Sequence, residues 1–341
     1  MLLDYSLNEI KEYVKNLNLP SFRAEQIFDA LYGGKSIDEI TNLSKEIKAK
    51  IEKDYPKFEI VKLLESADGT KKMALSLSDG SIVESVLLKY KYGHTVCVST
   101  QVGCRMGCKF CASTLGGLKR NLSAGEILLQ VLLFNKMLGG TLKKRAVTNV
   151  VLMGCGEPLD NYENVVKFLR LISANEGINI SQRNISLSTC GLVDKIKKLA
   201  DDHFSVTLTI SLHAPNDEIR KKIMPIANAY KISEILSACD YYFEKTGRRV
   251  VFEYALIKNV NSSLENMEEL SHILRGRSCH VNLIPLNSVK EQALVGVTRK
   301  EAYRLMTYLN EKGISATVRR TMGEDIEGAC GQLRNKLGGG K

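Results

Sequence analysis

The sequence predicts an α/β protein built around a partial, TIM-like (β/α)6 barrel. From residue 94 onward, β-rich runs alternate with amphipathic helical segments, which is typical of βαβ units and a parallel sheet. About six such units fit, fewer than the eight that close a barrel. A small helical domain and a short antiparallel β extension are predicted to precede the barrel.

The first segment, residues 1–55, is predicted to form the N-terminal helical domain. Leu7, Ile10 and Val14 recur at helical spacing. A second helix is expected after Pro20, and a third in the run LSKEIKAKIEKDY. Both a domain that grips a substrate and a lid packed on the catalytic part fit this pattern.

Residues 56–92 are predicted to form the antiparallel extension. Its three β-rich runs are separated by Asp68-Gly69 and Asp79-Gly80, which are hairpin signals. We expect this small sheet to bridge to a catalytic domain at residues 93–333. The glycine-rich tail at residues 334–341 is expected to be flexible.

The catalytic domain contains seven strand-like runs: HTVCVST, VTNVVLM, NISLST, SVTLTISLH, VVFEYALI, CHVNLIPL and ATVRR. In parallel α/β folds the active site lies at the carboxyl ends of the strands. The residues found there are a cysteine loop, Gly154 to Glu157, Ser188, Ser211, His213 and Asn287. We therefore expect them to converge at one end of the sheet.

Composition narrows the class of protein. The chain of 341 residues has no apolar run of membrane-spanning length and starts with MLLDYSLNEI, unlike a secretory signal. A cytoplasmic location without a membrane partner is expected, and nine cysteines then argue against a disulfide framework. Nothing predicts an oligomer, so we expect a monomer.

The net charge is +10, with a calculated pI of about 9.0. A solvated lysine-rich surface and a surface that binds a polyanion both explain this excess. The chain has no tryptophan and few phenylalanines, so its composition gives no hint of a stacking platform for single-stranded nucleic acid.

The most informative motif is CRMGCKFC, which places three thiols on one loop at Cys104, Cys108 and Cys111. Structural zinc sites and ordinary iron–sulfur cubes each use four protein ligands. Three ligands on a cluster leave one iron open for chemistry. A zinc site remains an alternative, with Cys97 or His94 as the fourth ligand.

Two other motifs allow both a functional and a structural interpretation. Glu157, behind the glycine turn, is placed either to bind a ligand amino group or to begin a helix. His213 ends a strand, and a histidine at such a position faces a pocket more often than the protein core. Cys330 lies in EGACGQL near the carboxyl terminus, and its spacing alone assigns it no role.

Six strings in order resemble the radical S-adenosylmethionine (SAM) ribosomal RNA adenine-C2 methyltransferases. The resemblance covers about residues 82–333, and the helical N-terminus also fits the family's accessory domain. The strings are CVSTQVGCRMGCKFCAS, LMGCGEPLDN, RNISLSTCG, ISLHAPNDEIRKKIMPI, VNLIPLN and GACGQL. The resemblance implies a barrel of the radical-SAM type.

The resemblance also implies two cofactors. Cys104, Cys108 and Cys111 match the ligands of a [4Fe-4S] cluster, whose open iron chelates SAM. Reductive cleavage of SAM then gives a 5′-deoxyadenosyl radical, and two SAM molecules are used per turnover. The positions that match SAM contacts are Gly156, Glu157, Ser188, Ser211, Leu212, His213 and Asn287.

Three further matches concern the reaction. Cys330 matches the cysteine that is itself methylated, and Cys97 matches its partner in a transient disulfide. Glu84 matches a proposed proton acceptor, although it also suits the surface of a hairpin. One position departs from the family pattern, because Cys155 stands where methionine is expected, and we interpret it as a thiol that either lines the pocket or packs in the core.

The chemistry of adenine motivates this use of cysteine. C2 is electron-poor and cannot attack the methyl group of SAM, whereas a thiolate can. We hypothesise that Cys330 takes a methyl group from one SAM and that the radical removes hydrogen from it. The resulting methylene radical adds to C2. Loss of the C2 proton and attack by Cys97 then release the product, and an external reductant resets the disulfide.

The implied partners are 23S rRNA, at an adenosine of the peptidyl-transferase centre, some tRNAs at adenosine 37, and a flavodoxin-type electron donor. A related branch methylates C8 and confers antibiotic resistance; Pro158 and Pro285 favour the C2 branch. Two other classes remain open. One is a different radical-SAM enzyme, such as a glycyl-radical activase, and the other a non-enzymatic RNA-binding protein with a structural metal loop.

Overall fold

The three helices predicted for the N-terminal segment are all present: α1 (Leu7–Asn16), α2 (Phe22–Tyr32) and α3 (Lys45–Ile51). The computed structural model describes residues 1–287 and 293–333, so the predicted flexible tail lies outside the described residues. A capping box begins α1, because the Ser6 hydroxyl accepts from Glu9 N and the Glu9 carboxylate accepts from Ser6 N.

The predicted β extension consists of β1 (Phe58–Glu65), β2 (Lys71–Leu77) and β3 (Ile82–Tyr90), paired antiparallel in that order. It is continuous with the main sheet, because β3 also pairs antiparallel with β4 (Gly93–Cys97). The expected small bridging sheet is therefore one end of a ten-stranded sheet. This pairing covers an edge of β4 whose N–H and C=O groups would otherwise face solvent.

The remaining elements follow in chain order: β5 (Gln101–Gly103), β6 (Leu118–Asn121), α4 (Ala124–Met137), β7 (Val147–Leu152), α5 (Tyr162–Ser173), β8 (Ile185–Thr189), α6 (Val193–Asp201), β9 (Thr207–Ser211), α7 (Asp217–Ile223), α8 (Ile232–Thr246), β10 (Val250–Leu256), α9 (Leu264–Leu274), β11 (Cys279–Pro285), α10 (Arg299–Glu311) and β12 (Ala316–Val318).

All seven strand-like runs of the catalytic part are strands. They lie in the order β4-β7-β8-β9-β10-β11-β12, and every neighbouring pair is parallel. Helices occupy the six connections between them, which confirms the predicted number of units. Within residues 1–287 and 293–333, β12 pairs only with β11, so the sheet stays open as a partial barrel.

One small element was not predicted. Strands β5 and β6 form a separate two-stranded antiparallel sheet on either side of the cysteine loop. Their lengths of three and four residues are too short to show a strand periodicity in the sequence. This hairpin holds both ends of the loop in one place.

The N-terminal helices pack on the outer helices of the barrel. Gly125 N at the start of α4 donates to the Asp4 carboxylate at 2.7 Å, and Lys136 pairs with Glu39 at 2.7 Å. Buried residues of both parts belong to one continuous apolar core. No helix in the described part of the chain is long and apolar enough to span a membrane.

Candidate active site

The cysteine loop is fixed by backbone contacts on two sides. Cys104 N donates to Gly117 O at 3.1 Å, and Lys109 N donates to Ile223 O of α7 at 2.9 Å. Gly103 has a φ of +78°, and a Cβ placed there would lie 1.9 Å from Gly117 O. Only glycine therefore allows the chain to enter the loop in this way.

The three thiols of the loop line one cavity at the carboxyl ends of the parallel strands. Seven other residues singled out in the sequence line the same cavity: Gly156, Glu157, Ser188, Ser211, His213, Asn287 and Cys330. The predicted convergence at one end of the sheet is thus confirmed.

The pKa values of the three thiols indicate what kind of group the loop can bind. Burial raises the pKa of Cys104 to about 12 and that of Cys108 well above its usual range, and neighbouring negative charges add to both shifts. Burial also raises the pKa of Cys111. Three thiolates side by side need a compensating positive charge, and a bound metal centre supplies one. The donor set therefore fits a metal centre with thiolate ligands.

The geometry also addresses the zinc alternative. In the described ranges, no three histidine, cysteine, aspartate or glutamate side chains lie close enough together to hold one metal ion. Neither of the fourth ligands considered, Cys97 and His94, lines the cavity that the three thiols share. The structure therefore does not place either residue as a fourth ligand beside the three thiols.

Glu157 lies in this cavity and also begins a helical turn. Its carboxylate accepts from Leu159 N at 3.1 Å and from Cys190 N at 2.8 Å, and burial raises its pKa. The side chains of Thr189 and Cys190 also hydrogen-bond to this carboxylate, which fixes its position in the cavity wall. Gly156 has a φ of +107°, and a Cβ there would lie 2.6 Å from Gln101 Cβ, so the turn requires glycine.

His213 is buried at the end of β9, with a φ of +57°. Its Nδ1 accepts from Ala255 N at 2.9 Å. Burial, and then the charge of Arg220, lower its pKa to about 3, so the ring is neutral. Because Nδ1 accepts, the proton of the neutral ring lies on Nε2. The nearby hydroxyls of Ser188 and Ser211 lie 3.5 Å apart.

Leu212 differs from its neighbours, because its side chain is fully buried and does not line the cavity. Its main chain is engaged instead: Leu212 N donates to Glu253 O at 3.1 Å, and Leu212 O accepts from Arg220 Nε at 3.1 Å. The family resemblance implied a SAM contact at Leu212, and the leucine side chain itself packs into the core.

Cys330 lies where two cavities meet. It lines the first with the three loop thiols and a second, smaller cavity with Cys97. Both are free thiols in this structure. Burial and then the charge of Cys330 raise the pKa of Cys97 to about 12. The structure thus places both thiols on the wall of one cavity.

The loop that carries Cys330 is tied to the rest of the site. Asn287 Nδ2 donates to Cys330 O at 3.1 Å, and Ala112 N donates to Gly331 O at 2.8 Å. Ser113 Oγ donates to Leu333 O at 2.7 Å. The carboxyl-terminal loop and the cysteine loop therefore form one connected unit.

Arg319 is a site residue that the sequence analysis missed. It lines both cavities, and its Nη1 donates to the Glu253 carboxylate at 2.9 Å. The pKa of its guanidinium is raised, first by the charge of Cys330 and then by that of Glu253. Arg319 directly follows β12, so the strand-end rule applied to the run ATVRR could have found it.

Glu84 and Cys155 lie outside the lining of both cavities. Glu84 is buried on β3 and forms an ion pair with Lys72 at 3.3 Å, so it is not the surface residue of a hairpin. Burial raises the pKa of Cys155 to about 11. Its N–H donates to Ser99 Oγ at 2.9 Å, which fits a packing thiol.

Comparisons with known proteins identify the family. The radical SAM superfamily model matches residues 98–272, and the model described as the ribosomal RNA large subunit methyltransferase N-terminal domain matches residues 1–55. A relative from Clostridium perfringens, named as a probable dual-specificity RNA methyltransferase RlmN, is 53% identical over 98% of this chain and 96% of its own length. A relative of the same name from Lachnoclostridium phytofermentans is 49% identical over 96% and 92%.

A solved structure agrees with the sequence relatives. The crystal structure of a radical SAM methyltransferase from Sphaerobacter thermophilus superimposes with a TM-score of 0.93 at 42% identity. The match covers 98% of this chain and 99% of the other. Sequence, fold and the convergence of the thiols in one cavity agree. The chain belongs to the RlmN family of the radical SAM superfamily.

Proposed function

We propose that this protein methylates C2 of an adenosine in 23S rRNA, at the peptidyl-transferase centre, and adenosine 37 of some tRNAs. The observation that carries the proposal is the position of Cys330, which lines the cavity of the three loop thiols and that of Cys97. A thiol shared in this way suits a methyl carrier. The names of the RlmN relatives support RNA as the substrate class.

We infer that Cys104, Cys108 and Cys111 hold a [4Fe-4S] cluster, with SAM in the adjoining cavity. Together these groups supply the radical that removes a hydrogen atom. Residues placed to hold SAM are Gly156, Glu157, Ser188, Ser211, His213 and Asn287, which all line the cavity. The Glu157 carboxylate, which lines the cavity, would be the partner of the SAM amino group. Leu212 contributes through its main chain.

Cys330 has two tasks in this proposal. Its sulfur first forms a bond to a methyl carbon, a displacement that requires the thiolate. The S-methyl group then loses a hydrogen atom, and its carbon forms a bond to C2 of adenine. One SAM supplies the methyl group and a second is consumed in hydrogen removal. Arg319, beside Cys330, places a positive charge where the thiolate forms.

Cys97 is placed to release the product. Addition of the methylene radical to C2 leaves one unpaired electron on the adduct. Loss of the C2 proton and of that electron, for which the proposed cluster would be the acceptor, gives a closed-shell adduct. Cys97 sulfur then loses its proton and attacks Cys330 sulfur, so that an S–S bond forms and the S–C bond breaks. The electron pair of the S–C bond stays with the carbon attached to adenine, which takes up a proton to complete the methyl group. External reductant restores the two thiols. Burial keeps Cys97 protonated beforehand, because its pKa is about 12.

Glu84 remains our candidate acceptor of the C2 proton, although it lies outside the lining of both cavities. Its ion pair with Lys72 gives it a fixed position close to β4. If Glu84 accepts the proton, Glu84→Gln should accumulate the covalent RNA–protein adduct. If adduct and product levels match those of the unaltered protein, Glu84 has no such role.

The partners follow from the same chemistry. A net charge of +10 suits a phosphate backbone. We propose a flavodoxin-type protein as the electron donor. We also propose that the enzyme is a cytoplasmic monomer, which is compatible with both the RNA substrate and this donor. The protein must also extract its target base from folded RNA, and contacts to the phosphates offset that cost.

Nucleoside mass spectrometry tests this proposal. Anaerobically reconstituted protein is given SAM, a flavodoxin-type reductant and protein-free large ribosomal RNA, and the RNA is digested. We expect 2-methyladenosine. A peak of 8-methyladenosine would instead place the protein in the resistance branch. If 5′-deoxyadenosine forms but no base is methylated, the radical chemistry is supported and the assignment of RNA as the substrate is wrong.

A further inference from the structure

Two tyrosines stack on each other beside the site. Tyr90 ends β3 and Tyr92 lies in the turn before β4; their ring centroids are 4.9 Å apart and their planes differ by 6°. Tyr92 is 67% exposed, whereas Tyr90 is partly buried. The composition, without tryptophan, gave no hint of a stacking platform, but the fold assembles one from tyrosine.

The stacked pair is connected to the reactive thiols. Tyr90 lines the second cavity together with Cys97 and Cys330. Most of the remaining wall is apolar, formed by Val86, Leu88, Val151, Met153, Ile284, Met322 and Leu333. Tyr90, on which Tyr92 stacks, therefore connects the exposed ring to the cavity that Cys97 and Cys330 line.

Three basic residues belong to the segments that form the stacked pair and the second cavity. Lys89 and Lys91 flank Tyr90 in the chain, and Arg320 lines the second cavity. All three are exposed, and none forms an ion pair with another residue in the part of the chain that the structure describes. An aromatic face with nearby cations is the combination that binds single-stranded nucleic acid, because bases stack while phosphates are neutralised.

We propose that Tyr92, supported from behind by Tyr90, stacks against an unpaired nucleobase of the RNA substrate next to the base presented to Cys330. This inference rests on the proposed RNA substrate. A base that leaves its helix loses stacking with its neighbours. Stacking a neighbouring base on Tyr92 restores part of that interaction, while Lys89, Lys91 and Arg320 hold the adjacent phosphates.

A pair of substitutions separates stacking from other effects of the side chain. Tyr92→Ala removes the ring, and Tyr92→Phe keeps it without the hydroxyl. We expect Tyr92→Ala to raise the Kd for a short single-stranded oligoadenylate about 5- to 100-fold, with Tyr92→Phe close to the unaltered protein. Fluorescence anisotropy of labelled RNA measures this on full-length protein, with or without cofactors. If Tyr92→Ala binds the oligoadenylate as tightly as the unaltered protein does, the stacking site is wrong, whereas the proposed RNA substrate is unaffected.

The lack of tryptophan permits a direct optical test. Tyr92→Trp introduces a single tryptophan on the platform, and Tyr303→Trp introduces one on α10. Tyr303 is a matched control, because it is 43% exposed and also lies beside an arginine, Arg299. We expect oligoadenylate to quench the fluorescence of the first variant and not that of the second.

The outcomes separate this proposal from the proposed function. Equal quenching of both variants would overturn the stacking site but leave the RNA substrate intact. If the unaltered protein binds neither oligoadenylate nor ribosomal RNA, the stacking site and the proposed RNA substrate are both wrong. Quenching by an acidic protein but not by RNA would show that the platform serves a protein partner, which also contradicts the proposal.

Discussion

Arg319 and Glu253 form an ion pair of 2.9 Å, and Arg319 lines the same two cavities as Cys330. Glu253 is buried on β10, and Arg319 directly follows β12, which lies two strands away in the sheet. The pair holds a positive charge in the cavity where the proposed methyl transfer takes place.

The first prediction concerns this cation. Arg319→Gln should slow the transfer of the first methyl group to Cys330 about ten- to a hundredfold, because the thiolate loses its neighbouring charge. Arg319→Lys should keep part of the rate. Intact-protein mass spectrometry with labelled SAM measures the transfer. Arg145→Gln, which removes an exposed arginine elsewhere, is the control. Unchanged methylation in Arg319→Gln would remove Arg319 from this role.

The second prediction concerns product release. Cys97→Ala should trap an RNA–protein adduct on Cys330, because no thiol remains to break the S–C bond. Denaturing gels of reactions with labelled RNA detect the adduct as a band of reduced mobility. Cys279→Ala replaces a buried cysteine outside both cavities and should turn over normally. Normal turnover by Cys97→Ala would exclude Cys97 as the releasing group.

The third prediction concerns the metal centre. Cys108→Ser should lose most of the bound iron and acid-labile sulfide after anaerobic reconstitution, because a serine hydroxyl is a poor substitute for a thiolate ligand. Cys330→Ala should retain the iron and the sulfide and lose only the methylation activity. Colorimetric iron and sulfide analysis provides the measurement. Full cluster content in Cys108→Ser would show that a ligand has been misplaced.

The fourth prediction concerns pH. The pKa of His213 is about 3 in the folded protein, against about 6.5 in an unfolded chain. Between these values the unfolded state binds a proton that the folded state does not, so stability falls as pH decreases from about 6.5. His213 alone should cost about 2 kcal/mol between about pH 7 and pH 5.

Urea unfolding of cluster-free protein tests this at both pH values. His213→Asn removes the titrating group, and asparagine tolerates the positive φ of this position. The free energy of unfolding of the unaltered protein should fall more steeply towards low pH than that of the variant. Parallel pH profiles would mean that His213 is not held neutral by the fold.

Much of the site was predictable because it follows local rules. The loop of Cys104 to Cys111 is visible in its spacing, and the strand-end rule located Ser188, His213 and Asn287. All seven parallel strands were visible from their alternation with helices. Such features depend on residues close together in the chain.

Other features depend on contacts between distant segments and could not be read from local patterns. The antiparallel pairing of β3 with β4 joins the extension to the barrel. Tyr90 and Tyr92 become a platform only when the turn brings their rings together. Leu212 shows another limit, because a match to a family motif does not specify whether the side chain or the main chain of that residue faces the cavity.

The central claim is that the transferred carbon passes through the sulfur of Cys330, and deuterium tests it most directly. Protein is first methylated on Cys330 with trideuteromethyl SAM, freed of excess SAM, and then given unlabelled SAM, reductant and RNA in a single turnover. The account predicts methyladenosine with two deuterium atoms in its methyl group and 5′-deoxyadenosine with one, because hydrogen removal precedes attack on C2. Methyladenosine with three deuterium atoms, or with none, would contradict the account.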